Sequence, residues 1–499
     1  MSIPSTTLAT VSASPVTVAA DWLVIGVWEG EPPTGPAAEV DAATAGLLTR
    51  LAADGDITGK PFEAVPVYAP AGVAAARVLV VGLGKRAAAT RLRLHEAAAA
   101  AARVVTGKHR GTIALALPDR PGPLTPEEAL LGAGVGLAQG CQGPGIRKAT
   151  PARFAPDQFH LILTDNTGPD PGPTLDRVRA EAHGLWLARD LVNTPPSELT
   201  PVAFAEIVAE TGRAVGFAVE VWDETRLAAE RMGDILAVAR GSAHPPRLVV
   251  MRYTGNPGGP TLGLVGKGVT FDSGGLSLKT SEQMVDMKCD MAGAAAVFGG
   301  LKAVAEMRAP VNVLGVLALV ENMPGGDAMK LGDVLTTRNG KTIEVLNTDA
   351  EGRLILADAL AYATEQRVAH LVDFATLTGA CMIALGPHVS GLMTNNDLWG
   401  EQVLGAIGRA GERAWKLPMD SHYDDMIRSK VADMRNTGGS RYGGAITAAK
   451  LLQQFVGEVP WVHLDIAGPA WAESESPALD PGGTGCMVRS IVELASGYR

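Results

Sequence analysis

Cysteine is scarce in these 499 residues: there are four, Cys141, Cys289, Cys381 and Cys486, far apart and with no CxxC pair. That pattern suits a reduced, cytoplasmic protein rather than a disulfide framework. Charge is sparse too, at 19%, with 43 Lys+Arg against 53 Asp+Glu and a formal charge of −10. An acidic balance of this kind disfavours a broad nucleic-acid-binding surface. No apolar run approaches the ~20 residues of a membrane span; Val313–Val320 is typical of the longest. The opening MSIPSTTLATVSASPVTVAA lacks a basic residue and a continuous apolar block, so it does not read as a signal peptide. The nine histidines form no HExxH or HxxEH, which disfavours a histidine-built zinc peptidase, and no GxSxG nucleophile elbow occurs. No internal repeat of 20–50 residues is visible.

What is present is a globular chain, 46% hydrophobic, too long for one ordinary core. The spacing predicts a flexible, Ser/Thr/Pro/Ala-rich segment over 1–21 and an N-terminal α/β domain over 22–170. In that domain strand-like runs (Leu23–Trp28, Arg77–Gly84, Thr112–Leu117, Phe159–Asp165) alternate with helical stretches (Asp41–Ala53, Ala88–Val105, Pro126–Gln139). A Gly/Pro-dense stretch, Asp165–Thr174, and a helix, Leu175–Asn193, read as linker and connecting helix over 171–195. Residues 196–499 then repeat the alternation on a larger scale. The strands expected there are Arg247–Tyr253, Leu262–Gly268, Val311–Val320, Thr342–Asn347, His370–Leu377 and Trp461–Gly468, with helices at Ala292–Met307 and Gly352–Thr364. Continuous apolar strands of this kind suit a sheet covered on both faces.

One motif misleads. Gly82-x-Gly84-x-x-Ala87 after a strand has the form of a dinucleotide fingerprint, but the acidic partner ~20 residues on is missing. The carboxylates are more informative. NTDAEGR sets Asp349 and Glu351 two apart after a strand, on one side of an extended chain, and Arg353 at the start of an apolar-periodic helix, where an anion is favoured. GKGVTFDSGGLSLKT sets Lys267 and Asp272 at a strand end, with Gly266, Gly268, Gly274 and Gly275 permitting close backbone approach and Lys279 following. Asp290 precedes an Ala/Gly-rich helix. Singly, Asp290 and Asp349 read as helix caps and the lysines as surface charges. Together, four carboxylates at element ends can hold two divalent ions a few Å apart.

NTDAEGRL (Asn347–Leu354) resembles the hallmark octapeptide of the leucyl (cytosol) aminopeptidase family. So do Val265–Lys279, Met287–Val297, Asp190–Pro201, Glu321–Val334, Asp373–Gly386 and Val462–Trp471, all in order, so that the resemblance spans ~180–499. It implies a two-domain α/β fold: a variable, macro-like N-terminal domain and a mixed-sheet catalytic domain of the zinc-exopeptidase type. It also implies two metal ions. One would be bound by Asp272, Asp349 and Glu351, and the other, exchanging less readily, by Lys267, Asp272, Asp290 and Glu351. Manganese or zinc is expected, with magnesium or cobalt as further occupants of the exchangeable site. Lys279 would polarise the scissile carbonyl and Arg353 would hold a bicarbonate as general base. Met287, Asn347, Thr376, Leu377, Gly379, Ala467 and Ala470 would contact the substrate, with Met287, Thr376, Gly379, Ala467 and Ala470 lining the pocket for its first side chain; Ala470 stands where some relatives carry methionine, which would widen that pocket.

The expected activity is removal of N-terminal residues, leucine preferred, from small peptides with a free N-terminus, by a homohexamer with no membrane association. A Cys-Gly dipeptidase specialisation and a DNA-binding architectural or regulatory role, the latter not expected from the charge, are the alternatives. A catalytically dead scaffold is disfavoured, since no position of the family motif is substituted. No histidine stands beside the carboxylate motifs, which makes a bound anion the expected proton carrier.

Overall fold

The computed structural model describes residues 6–119, 121–143, 147–163 and 170–499. They fall into two compact units, Met1–Trp186 with Glu473–Pro481, and Leu187–Ala472 with Gly482–Arg499. Both are α/β units built on a mixed sheet.

The first unit carries six strands in the order Thr7–Val11, Gln158–Ile162, Thr112–Ala116, Trp22–Val27, Arg77–Gly82, Ala64–Tyr68. All neighbours are parallel except the last pair. Helices Arg91–Val105 and Pro126–Gly140 pack closely because their facing positions are small: a Cβ on Gly136 would lie 2.2 Å from His95 O. Thr90 caps the first of these helices, and Thr125 with Glu128 forms a capping box on the second.

Several expectations for this unit are corrected. Within the segment expected to lack order, Thr7–Val11 is an edge strand paired with Gln158–Ile162. The helix expected over Asp41–Ala53 is two, Pro36–Ala43 and Leu47–Ala53, broken where Ala45 and Gly46 take positive φ. The division between units falls at Trp186/Leu187, inside the helix Gly172–Asn193, rather than near 170. The first turns of that helix belong to the N-terminal core, where Glu181 pairs with Arg91 and Trp186 donates to Ala138 O. Of the expected linker, residues 165–169 lie outside the described residues, as does the end of the strand expected over Phe159–Asp165. The dinucleotide-like turn has a packing cause, since a Cβ on Gly82 would lie 1.9 Å from Lys60 O.

The second unit holds an eight-stranded sheet: Ala414–Lys416, Ser390–Thr394, Trp461–Asp465, His370–Ala375, Thr261–Asp272, Asn312–Asn322, Arg247–Thr254, Ala218–Trp222. The four central strands are mutually parallel; Ser390–Thr394, Ala414–Lys416 and Arg247–Thr254 run antiparallel to them, and Ala218–Trp222, antiparallel to Arg247–Thr254, runs with them. Successive residues of Thr261–Asp272 point to opposite faces. Gly266 therefore meets Ala294 on helix Ala292–Glu306, while the Lys267 stem meets Gly352 on helix Gly352–Glu365. Coverage of both faces accounts for the continuous apolar runs in the central strands. Among the described residues no helix is long and apolar enough to cross a membrane, and all four cysteines are free.

Candidate metal centre and active site

The parallel strand Thr261–Asp272 and its neighbours end at one edge, the usual place for a site in such a sheet. Asp272 ends its strand, Asp290 lies in the 3-10 turn Met287–Met291, and Glu351 immediately precedes the helix Gly352–Glu365. Each of the three offers an oxygen within 4.8 Å of the others, and all three are buried. Neither the helix after Asp290 nor the one after Glu351 has a side-chain cap, so these carboxylates are not spent as caps.

Lys267 lies among them, almost wholly buried. Its Nζ donates to Asp290 Oδ1 and to Thr376 O, both at 2.8 Å, and stands 2.9 Å from Glu351 Oε1. Gly352 makes room for it: a Cβ there would lie 2.5 Å from Lys267 Cε. Lys279 bridges Asp272 Oδ2 and Asp349 Oδ1. The loop that carries Lys279 is docked by Thr348, whose Oγ1 donates to Gly274 O at 2.6 Å and accepts from Ser277 N at 2.8 Å. Gly274 has φ +84°, and a Cβ on it would lie 2.5 Å from Ser277 O. Asp349 is outside the buried trio and joins it through Lys279. The segment Asn347–Glu351 is a turn rather than the extended chain expected, because the strand stops at Glu344 and Ala350 N donates back to Asn347 O. Consequently Asp349 is partly exposed while Glu351 is buried.

The charges are unbalanced, with four carboxylates facing two ammonium groups. Burial pushes the Asp272 carboxyl above its usual range, reinforced by Glu351 and opposed by the lysines. Asp290 is raised further, by burial first, with Lys267 opposing and Glu351 and Asp272 adding to it. Burial and Asp272 likewise raise Asp349. Burial works to lower both lysines, but the carboxylates outweigh it and hold them well above the ordinary ammonium value. Asp290 Oδ2 and Glu351 Oε2 are buried without a hydrogen-bond partner. Two orphaned carboxylate oxygens in a negatively unbalanced pocket fit divalent cations.

Arg353, nearly fully buried, donates from Nη1 to Asn436 O at 2.8 Å, while its Nε has no partner. Burial lowers its pKa to about 10, against the pull of Glu351, Asp465 and Asp349. An unpartnered buried guanidinium N–H at a helix start suits a small anion. Of the residues expected to contact substrate, Thr376 reaches the cradle directly, its Oγ1 donating to Asp290 Oδ1 at 2.7 Å. Leu377 and Gly379 follow in the same loop, and Ala467 and Ala470 lie beyond the adjacent strand end. Asn347 hydrogen-bonds within its own turn, accepting from Asp349 N at 2.9 Å. Met287 and Asn347 are half-buried and Ala470 is buried.

Sequence reasoning missed several supporting residues. Asn322 Nδ2 donates to Asp272 Oδ1 and Thr348 O. Asn436, from the segment MRNTGG, accepts from Leu346 N and donates to Asn347 O, clamping the turn. His463 was not singled out either. Its Nδ1 is 2.6 Å from Asp373 Oδ1, and its Nε2 is buried without a partner. Burial lowers its pKa, but Asp373 outweighs this and holds the imidazole above its ordinary value, with Arg353 near enough to oppose. The signal was present in the paired motifs HLVDFATL and WVHLDIAG, but only adjacent strands bring them together.

Comparison with known proteins places these features in context. The model of the cytosol aminopeptidase family, catalytic domain, matches residues 186–492, and that of its N-terminal domain matches 24–140. The chain is 46% identical over 451 residues to a probable cytosol aminopeptidase of Rhodopirellula baltica, covering 90% of this chain and 86% of that protein. A second, from Syntrophotalea carbinolica, is 43% identical over 487 residues, covering 96% and 97%. Among solved structures, the bottromycin maturation enzyme BotP in complex with Mn matches with TM-score 0.85 and 37% identity, covering 96% of this chain and 99% of that one. A mutant of tomato leucine aminopeptidase matches with TM-score 0.87 and 34% identity, covering 98% and 96%.

Proposed function

The chain belongs to the cytosol aminopeptidase family and is a metal-dependent aminopeptidase, and on that premise we propose how its residues divide the work and what they act on. The observation that carries the reading is the buried Asp272–Asp290–Glu351 cradle with two of its oxygens unpartnered. Asp272, Asp349 and Glu351 would hold one divalent ion, and Lys267, Asp272, Asp290 and Glu351 the other, with manganese or zinc as the occupants and magnesium or cobalt accepted at the exchangeable position. Such ions would supply Lewis acidity and lower the pKa of a bound water toward neutrality.

Lys267 can offer a metal its nitrogen only as a neutral amine, so it must shed a proton that the carboxylates alone hold on it. Lys279 keeps its charge and turns from Asp272 and Asp349 to the substrate carbonyl oxygen, where negative charge develops. Arg353 holds a bicarbonate through its free Nε, and that anion supplies proton-transfer capacity at the site. A free α-amine on the substrate gives the centre a further nitrogen donor, which restricts cleavage to the N-terminal residue.

The substrates we propose are small peptides and amino-acid amides, leucine preferred, with cytoplasmic action by a symmetric homohexamer. The DNA-binding alternative is weakened by where its basic residues go. Of the two modest basic clusters in the N-terminal unit, Arg91–His95 and Gly107–Arg110, the first has Arg91 buried against Glu181, which takes that cation from phosphate. The test is chelation followed by metal add-back, assayed on leucine amide and N-acetyl-leucine amide. Metal-dependent turnover of the first and near-inertness of the second are expected; comparable turnover of both would sink the reading. Light scattering that returns an active monomer would refute the hexamer.

A further inference from the structure

Asp465 is the last residue of the strand Trp461–Asp465 and is fully buried. It stands in register with Ala375, the last residue of the parallel strand His370–Ala375. Both strands end here, and the loops beyond them carry Thr376, Leu377 and Gly379 on one side and Ala467 and Ala470 on the other. The Asp465 carboxylate joins these two loops. Its Oδ1 accepts from Leu377 N at 3.1 Å, Thr378 N at 3.4 Å and Ala467 N at 3.2 Å. Its Oδ2 accepts from Thr378 Oγ1 at 2.6 Å.

The hydroxyl's direction is settled by its other bond. Thr378 Oγ1 accepts from Cys381 N at 3.1 Å as the cap of helix Gly379–Leu385, so its one proton is free to go to Asp465. One residue before Leu377, Thr376 is tied to the metal cradle, its carbonyl accepting from Lys267 Nζ and its hydroxyl donating to Asp290 Oδ1. A continuous set of hydrogen bonds thus runs from the cradle through Thr376–Thr378 to Asp465 and on to Ala467.

We propose that Asp465 is a positioning residue for substrate selectivity, fixing the distance between the two loops that bound the first side chain and tying both to the metal cradle. This rests on the aminopeptidase reading above. The role calls for a group that accepts on both oxygens, because Leu377 N, Thr378 N, Ala467 N and Thr378 Oγ1 all donate to it. Asparagine has one acceptor and one donor. Whichever way it is turned, its NH2 faces either three backbone N–H groups or a hydroxyl whose proton already points at it. One loop must then move, and the pocket loses its definition while the metal ligands stay in place.

The experiment compares kcat and KM for leucine amide and alanine amide, with metal content, in wild type, Asp465→Asn, Thr378→Val and Thr378→Ser. In D465N we expect KM for leucine amide to rise about tenfold and the leucine-over-alanine preference in kcat/KM to fall about tenfold, with kcat changed by less than about threefold and both metals retained. T378V removes the Oδ2 bond together with the cap bond from Cys381 N, leaves the three Oδ1 bonds, and should shift the preference the same way by a smaller factor, while T378S, which keeps the hydroxyl, restores it. If D465N does not fold, the T378V and T378S pair decides. An active wild type whose preference survives in D465N and T378V, or an equal fall of kcat on both amides with KM unchanged, overturns the assignment. A wild type inert on both amides overturns the aminopeptidase reading and this assignment with it.

Discussion

Both units bury carboxylates, and they treat them differently. In the N-terminal unit Glu181 is fully buried, yet each of its oxygens meets a cation, Arg91 on one side and Arg177 Nε at 2.8 Å on the other. In the catalytic unit Glu351 and Asp290 are as deeply buried, but each has one oxygen bound and one without a partner. Burying a charge is costly unless it is paired, so a closed pair reads as architecture. An open one is tolerated where a ligand completes it. Burial alone does not mark a site; open oxygens on carboxylates gathered from separate elements do.

The contrast can be broken most severely at Glu351. Glu351→Gln keeps the shape and removes the charge, so turnover of leucine amide should fall by about a thousandfold or more, with loss of metal measured on the same sample. The metal-free protein should lose no stability, since like charge has been relieved. A metal-replete, active E351Q would show that the cradle is merely structural.

The mirror-image change is Arg91→Met. It leaves Glu181 with one partner and should destabilise the fold by about 3–5 kcal/mol in denaturant titration, with activity per folded molecule kept. A loss below about 1 kcal/mol would mean that Arg177 alone satisfies Glu181. The two lysines of the cradle sharpen the comparison further. Lys279→Met should slow turnover about a hundredfold with both metals bound, whereas loss of metal in that variant would make Lys279 a structural clamp on Asp272 and Asp349.

The smallest effect concerns a second buried pair in the catalytic unit, remote from the cradle. Asp358 accepts from Asp234 N, Ile235 N and Arg338 N, and burial raises its pKa to about 7. Asp234 is raised as well, by burial and then by Asp358, and neither of its oxygens has a partner. Folded-state pKa values above the unfolded value mean that this contribution to stability is complete below about pH 4 and is lost as pH rises through about 7. Asp234→Asn should therefore flatten the fall in Tm between pH 5 and pH 8 by a few degrees. Parallel Tm curves for wild type and variant would exclude this pair as the source.

Legibility differed along the chain for physical reasons. The strands Asn312–Asn322 and Thr261–Asp272 announce themselves because both faces are covered and each carries a continuous apolar or glycine run, Val313–Val320 and Leu262–Gly266. Ala218–Trp222 and Ala414–Lys416 are short, partly exposed flanking strands with no such pattern, and they were missed. Lys267, Asp272 and Lys279 were legible at a glycine-marked strand end, and Asp290, Asp349 and Glu351 through motifs that resemble those of the family. Asn322, Asn436 and Asp465 were not, because they act through hydrogen bonds to backbone groups distant in the chain.

The sequence by itself determined the α/β character of both units, the apolar central strands and the identity of the residues that meet at the strand ends. Those follow from local pattern, which needs no knowledge of neighbours. Only the tertiary structure decided which carboxylate oxygens remain open, that Lys267 lies buried between Asp290 and Glu351, and that the strands of Asp373 and His463 lie side by side. Hydrogen-bond completeness belongs to pairs of atoms in space, so no single segment of the chain carries it.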